Sequence, residues 1–406
     1  MKSTMASRQS LKMLAAGTVL LLFLGIVYIW SVFVIPVSNH LQCDINKVKL
    51  TSSFMMSFFV IGLICGGKWL LRIGAQKTTL LGGLIMAAGM LGAAYVPKGM
   101  VALMYVTYGM AGGFGAGASY GTAISSVQKW FPQKRGIATG ICVCAYGFSA
   151  VIFTPLAELL INSYGVRLTF IILSCVYFSM ILVLFSFITQ PGESKGLQKD
   201  EKLPVQKQYS TKEILKTKEY YLIALSFMFG TAAYFILNPS FKTMAEERGL
   251  HAAMGTALVM ITGVANALGR LCIPFLSEKI GRIKGVFLTI TVTALCVLLL
   301  CFAESLAFMA VVALVVFCFG GIMGTYPVIT SDFFGVKNVG SNYGAVNIGY
   351  ALSSLLFPIT LGLVNNTILK FAILAAVEFT GAVFIMLLQK SSRARLSLSR
   401  QDFSPG

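Results

Sequence analysis

The chain is a succession of apolar blocks about 20 residues long, separated by short polar turns. A helix of that length crosses a ~30 Å hydrocarbon layer. Charged residues make up 11% of the 406 positions, against roughly 25% in a soluble protein. With 57% of residues hydrophobic, too little polar surface remains to cover a water-soluble body of this size. The reading is an all-α polytopic membrane protein. A soluble enzyme, a nucleic-acid binder and a secreted disulfide scaffold are excluded.

Twelve spans are predicted, at 13–37, 48–70, 78–96, 100–127, 136–162, 166–189, 219–241, 251–276, 284–303, 305–330, 340–365 and 367–389. The formal charge of +18 gains meaning from its placement along these spans. With a cytoplasmic N-terminus, 24 of the 32 Lys and Arg residues fall in inner segments, seven in outer ones, and one, Arg270, inside a span. That bias puts both termini in the cytoplasm and is a topology signal, with no bearing on nucleic acid. The first span follows Lys2, Arg8 and Lys12 in the manner of a signal peptide. Its run is longer than a typical signal core and no small-x-small cleavage site follows, so it reads as a retained helix. The nine cysteines are scattered. They suggest neither a disulfide framework nor a metal site, and no cofactor is expected.

The chain repeats itself over half its length. Pro36 and Pro239 each close a span, and Phe131, Lys134 and Pro155 recur as Phe334, Lys337 and Pro358, all at an offset of 203. The turn Leu71-Arg72-Ile73-Gly74 recurs as Glu278-Lys279-Ile280-Gly281 at 207. Residues 190–218 are polar and Lys-rich, the composition of a linker, with Ser210 and Glu213 at capping-box spacing. The expected organisation is a six-helix bundle at 1–189, a cytoplasmic linker at 190–218, a second bundle at 219–389 and a cytoplasmic tail at 390–406. Parallel halves of this kind are a transporter architecture.

Gly67-Lys-Trp-Leu-Leu-Arg-Ile-Gly74 and Phe275-Leu-Ser-Glu-Lys-Ile-Gly-Arg282 resemble the paired loop signature of the major facilitator superfamily. Gly25-Ile-Val-Tyr-Ile-Trp-Ser-Val-Phe33 with Pro36, Trp130-Phe-Pro-Gln-Lys-Arg-Gly136, Ser331-Asp-Phe-Phe-Gly335 and Asn342-Tyr-Gly344 resemble the oxalate/formate antiporter family, which is related to the monocarboxylate transporters. The resemblance covers nearly the whole chain. It implies a transporter in a bacterial cytoplasmic membrane and a cytoplasmic gate built from Arg72, Gly74, Glu278, Lys279, Gly281 and Arg282. Leu71 stands where the superfamily usually has an acid, which implies a weaker lock on the N-terminal half. Arg72 and Lys77 are equally compatible with merely marking the inner face.

Arg270 is the basic residue deep in a span, where insertion costs roughly 2.5–3.5 kcal/mol. Asn266, Gly263 and Thr262 continue its stripe along one helix face. A guanidinium grips a carboxylate through two parallel charge-assisted hydrogen bonds, so Arg270 facing a cavity suits an anion. Snorkelling to the headgroups, or pairing with a fixed acid, is the alternative from the residues alone. The resemblance implies the substrate-binding role.

Oxalate transport in that family goes with a second cation, a Lys at the position of Tyr350. One cation matches one negative charge, which predicts a small monocarboxylate such as formate or lactate and argues against oxalate. Tyr343, Asn347, Tyr350 and Ser354 form a helical stripe suited to lining the cavity. The resemblance places further wall residues at Tyr28, Tyr120, Tyr146, Phe319 and Tyr326. Trp30, two residues from Tyr28, would face elsewhere. The glycines at 112, 113, 115, 117 and 121, and at 136, 140 and 147, suit close helix approach.

The acids within spans are Glu158 and Glu378, the latter on a helix that the resemblance places at the periphery. Asn266 is an amide where proton-coupled relatives can carry an acid. Exchange of anions is therefore the favoured mode, with proton symport and facilitated diffusion as alternatives. A membrane sensor that has kept the fold is the reading from another class. A membrane enzyme or ATP-driven pump lacks its motifs. The expected partners are the bilayer and a small carboxylate, with the protein a monomer.

Overall fold

The computed structural model describes residues 2–131, 135–191, 208–335 and 338–401, with side chains for 8–131, 137–191, 208–335, 338 and 340–390. The repeat markers Lys134 and Lys337, the Pro132–Gln133 part of the 4–5 motif, linker residues 192–207 and tail residues 402–406 lie outside the described residues. Among the described residues every regular element is helical.

Nine runs are long and apolar enough to cross a membrane. Two of them are about twice the length of one crossing and break at a glycine. Ile45–Ala93 divides at Gly74 into α2 (45–73) and α3 (75–93), and Arg135–Leu184 divides at Gly165 into α5 (135–164) and α6 (166–184). The glycine-rich run α4 (Val101–Met104, the π-helical Tyr105–Gly112 and Gly113–Trp130) supplies a further crossing, bringing the total to twelve. The first crossing, α1, is Lys2–Leu24 joined to Trp30–Leu41 through the 3-10 turn Gly25–Ile29. The seventh, α7, comprises Lys218–Phe229, Ala232–Leu237 and Phe241–Glu247. The rest are α8 (Ala252–Ile280), α9 (Arg282–Leu299), α10 (Ser305–Phe334), α11 (Val339–Gly362) and α12 (Thr367–Gln401).

The repeated turn of the sequence is also a repeated backbone shape. Gly74 and Gly281 reverse the chain at φ 83° and 96°, a region in which a side chain clashes with its own carbonyl. These turns define one end of the molecule, the Gly74 end; the 1–2 turn at Asp44 marks the opposite one.

Packing follows from small residues at the seams. A Cβ on Gly117 would lie 1.9 Å from the Phe59 carbonyl oxygen, and one on Gly115 would lie 2.3 Å from that of Gly82. Glycine there lets α4 lie directly on the backbones of α2 and α3. In the second half α8 packs on α10, α9 on α12, and α7 on α11 and α12. Two seams join the halves: the α5–α6 segment against α8, and the α2–α3 segment against α11. At the first, a Cβ on Gly147 would lie 3.0 Å from the Ala267 amide nitrogen, and one on Gly263 2.8 Å from the Ala150 side chain.

Candidate functional site

The two seams bring Arg270 to the centre. Gly263 and Ala267 press α8 onto α5, and Gly269 presses it onto the Phe317 carbonyl of α10. Arg270, between these contacts, is 4% exposed. Its Nη2 donates to the Tyr28 hydroxyl at 2.6 Å and its Nε to Asn266 Oδ1 at 2.9 Å. The guanidinium carbon lies 5.4 Å from the ring centre of Tyr146 and 5.8 Å from that of Tyr28, within cation–π range. No carboxylate among the described residues pairs with it. Hydroxyl, amide and π-faces thus partner the buried charge, and part of the guanidinium fork remains available.

Around Arg270 the aromatic rings interlock. Tyr28 meets Tyr146 edge-on at 5.0 Å, and Tyr146 meets Tyr120 at 5.1 Å. Tyr120 in turn packs on Phe59 at 5.3 Å. From the opposite half α11 contributes Tyr343, Asn347 and Tyr350, and these side chains enclose a cavity with Arg270, Leu63 and Met323. It is closed down to room for about one water molecule at most. Arg270 is the charged group of its lining.

Of the residues singled out in the sequence, Tyr28, Tyr120, Tyr146, Arg270, Asn347 and Tyr350 share this cavity. Asn266 stands behind it, holding Nε of Arg270. Two do not line it. Phe319 lies behind the wall, stacked on Tyr234 at 3.6 Å and 6.5 Å from Tyr28. Tyr326 points into the second half, with its hydroxyl on Ser226 at 2.7 Å and its ring on Phe227 at 4.2 Å. Ser354, the far end of the α11 stripe, hydrogen-bonds Ser57 of α2 at 2.6 Å. Trp30 faces Tyr108 and donates its indole N–H to the Val48 carbonyl. Phe59, Leu63 and Met323 were not anticipated, because an apolar side chain facing a cavity carries the same signal as one facing lipid or core.

The two copies of the basic turn differ. Arg282 donates to Asp332 of α10 at 2.6 Å and reaches Glu278 at 3.6 Å. Lys279 lies over the Phe275 ring. Arg72, beside Leu71, is exposed and makes no ion pair among the described residues. Asp332 belongs to the Ser331–Gly335 motif, so its acid was visible in the sequence while its partner was not.

At the Asp44 end Glu158 of α5 pairs with Lys242 of α7 and accepts from the Thr256 hydroxyl of α8 at 2.5 Å. Ser57 and Ser354 join α2 to α11 on the same side of the cavity. These contacts cross from one half of the chain to the other.

A sequence profile of the Major Facilitator Superfamily matches residues 15–398. The chain is 26% identical to the oxalate:formate antiporter of Oxalobacter formigenes over 372 residues, covering 89% of this chain and 88% of that one. It is 26% identical to the uncharacterized MFS-type transporter YhjX of Escherichia coli K12, with 84% of each chain covered. Monocarboxylate transporter 12 of Xenopus laevis is 24% identical, with 83% of this chain and 78% of that protein covered. With twelve helical crossings, a repeated turn and a match across almost its full length, the chain belongs to the Major Facilitator Superfamily of transporters.

Proposed function

We propose that the protein exchanges small organic monoanions, monocarboxylates in particular, across a cytoplasmic membrane by alternating access. Arg270 serves as the anion-binding group. The observation that carries this reading is a buried guanidinium with neutral partners, facing a cavity whose lining holds no other charge. A carboxylate would complete the guanidinium fork and neutralise the site, lowering the burial cost that Arg270 carries alone. The tyrosine hydroxyls add donors at fixed positions, and their rings give an apolar wall for a short organic tail.

Tyr350 decides the charge of the substrate. A cation at that position would suit a dianion; a phenol leaves one positive charge for one negative charge. Among the relatives, one is named for oxalate and formate and another for monocarboxylates, so both charge classes lie within reach of the family. The cavity must widen to admit even a small acid, which favours short substrates.

Exchange is favoured over proton symport because the lining has no acid to carry a proton. An unloaded carrier would have to move Arg270 uncompensated, whereas a loaded one would not. In this reading 1–189 and 219–389 are the halves that rock, joined by the linker at 190–218. The Gly74 end faces the cytoplasm, as the charge bias requires.

Counterflow in proteoliposomes with radiolabelled formate, lactate and oxalate tests the assignment. Formate or lactate is expected to exchange, and Arg270→Gln to lower the rate at least about 100-fold through loss of two charge-assisted bonds. Undiminished exchange in Arg270→Gln would remove its role. Ligand-induced stabilisation without exchange of any carboxylate would favour a sensor.

A further inference from the structure

We propose that Glu378 is a positioning residue for this cavity: a neutral carboxylic acid that holds the broken turn of α7 in place. The helix stops at Phe229, passes through Gly230 (φ −78°, ψ 3°) and Thr231 (φ −117°, ψ 2°), and resumes at Ala232. Restarting a helix leaves its first N–H groups without intrahelical acceptors. Glu378 of α12 supplies one, its Oε1 accepting the Ala233 N–H at 2.8 Å.

The rest of the carboxyl group is dry. Glu378 is 0% exposed, and its Oε2 has no hydrogen-bond partner among the described residues. No Lys, Arg or His among the described residues pairs with it. Cys318 and Tyr326 of α10, titratable groups near enough to feel its charge, bring no positive charge. A carboxylate held this way would keep an uncompensated charge in a low-dielectric interior. The protonated acid satisfies the same N–H through its carbonyl oxygen without that penalty.

The break is seated by α12 itself and by two other helices. One turn beyond Glu378, a Cβ on Gly381 would lie 2.7 Å from the Gly230 amide nitrogen, so α12 lies directly against the broken turn. Ile290 of α9 presses on Gly230, and Thr231 donates to Phe227 O and to Ser353 of α11. The residues that follow Ala233 are the ones that reach the cavity wall. Tyr234 stacks on Phe319 and meets Tyr28 edge-on at 5.9 Å, while Phe235 packs on Tyr350 at 4.8 Å. Fixing Ala233 therefore fixes the rings that hold Tyr28 against Arg270 and Tyr350 against the substrate space.

The positioning claim rests on the cavity being the transport site; the protonation claim does not. Infrared spectroscopy on the full chain in nanodiscs, comparing wild type with Glu378→Gln, should show a protonated carboxyl band that the variant lacks. Glutamine keeps a neutral acceptor for Ala233, so Glu378→Gln should melt with the wild type and exchange radiolabelled formate or lactate within about twofold. Glu378→Ala removes the acceptor and should raise the half-saturating concentration about fivefold, the loss of one buried hydrogen bond. Absence of the band, or a Glu378→Gln variant as impaired as Glu378→Ala, would overturn the proposal. Should Glu378→Ala fail to fold, the band and the glutamine variant decide alone. Should no carboxylate be exchanged by the wild type, the band and the melting temperatures still separate the fate of this proposal from that of the transport reading.

Discussion

The two ends of the molecule are held by different kinds of contact. At the Asp44 end the polar links run between halves: Glu158 to Lys242 and Thr256, and Ser57 to Ser354. At the Gly74 end the polar links include Arg282 to Asp332 within the second half, Trp130 to the Thr189 carbonyl within the first, and Lys129 to Gln190 at the start of the linker. In the proposed rocking motion, contacts within a half move with it, whereas contacts between halves must break. The Glu158–Lys242 pair and the Ser57–Ser354 bond therefore act as a latch at the Asp44 end in this conformation, with the cavity beneath it.

This contrast can be broken from either side, and spin labels at exposed Tyr95 and Phe302 in a cysteine-free background would read the Asp44 end directly. The largest effect is expected from Glu158→Gln. It removes one member of a pair that is 22% and 16% exposed, and should raise the separated population about tenfold. The double change Ser57→Ala with Ser354→Ala removes the hydrogen bonds that these hydroxyls make between halves, to each other and to the Ala351 and Ser53 carbonyls, and should raise it about fivefold. At the other end, labels at Lys77 and Lys284 should register no more than about a threefold change on Asp332→Asn, because Asp332 is 48% exposed and water screens its charge. Leu71→Glu, which restores an acid at an 80% exposed site beside Arg72, should shift the same labels less than about twofold. If Asp332→Asn outweighed Glu158→Gln, the assignment of the latched end would be reversed.

Much of this was written in residue spacing. The length of the apolar blocks marks the crossings, and the matched turns at Gly74 and Gly281 mark the repeat, because a positive φ demands glycine at the same place twice. Arg270 stood out for a comparable reason, since a charge inside a span has few structural excuses. What stayed hidden was pairing across long separations. Nothing near Glu158 points to Lys242, 84 residues away, or sends Ser57 to Ser354. Glu378 is a further case. It stands on a helix expected at the periphery, and its side chain turns inward to a break in α7 at Gly230, where a lone glycine in an apolar run gives no warning. Phe319 and Tyr326 show the same limit: both were expected at the cavity, and both are instead stacked on rings of α7, Phe319 on Tyr234 and Tyr326 on Phe227.

The central claim is that one buried cation selects one negative charge, and the ratio of oxalate to formate counterflow in the wild type and in Tyr350→Lys tests it most directly. A lysine at 350 would put a second positive charge on the lining opposite Arg270. The wild type should exchange formate in preference to oxalate, and the variant should raise the oxalate-to-formate ratio at least about tenfold. A wild type that already exchanges oxalate as readily as formate, or a ratio unmoved by the added charge, would contradict the account.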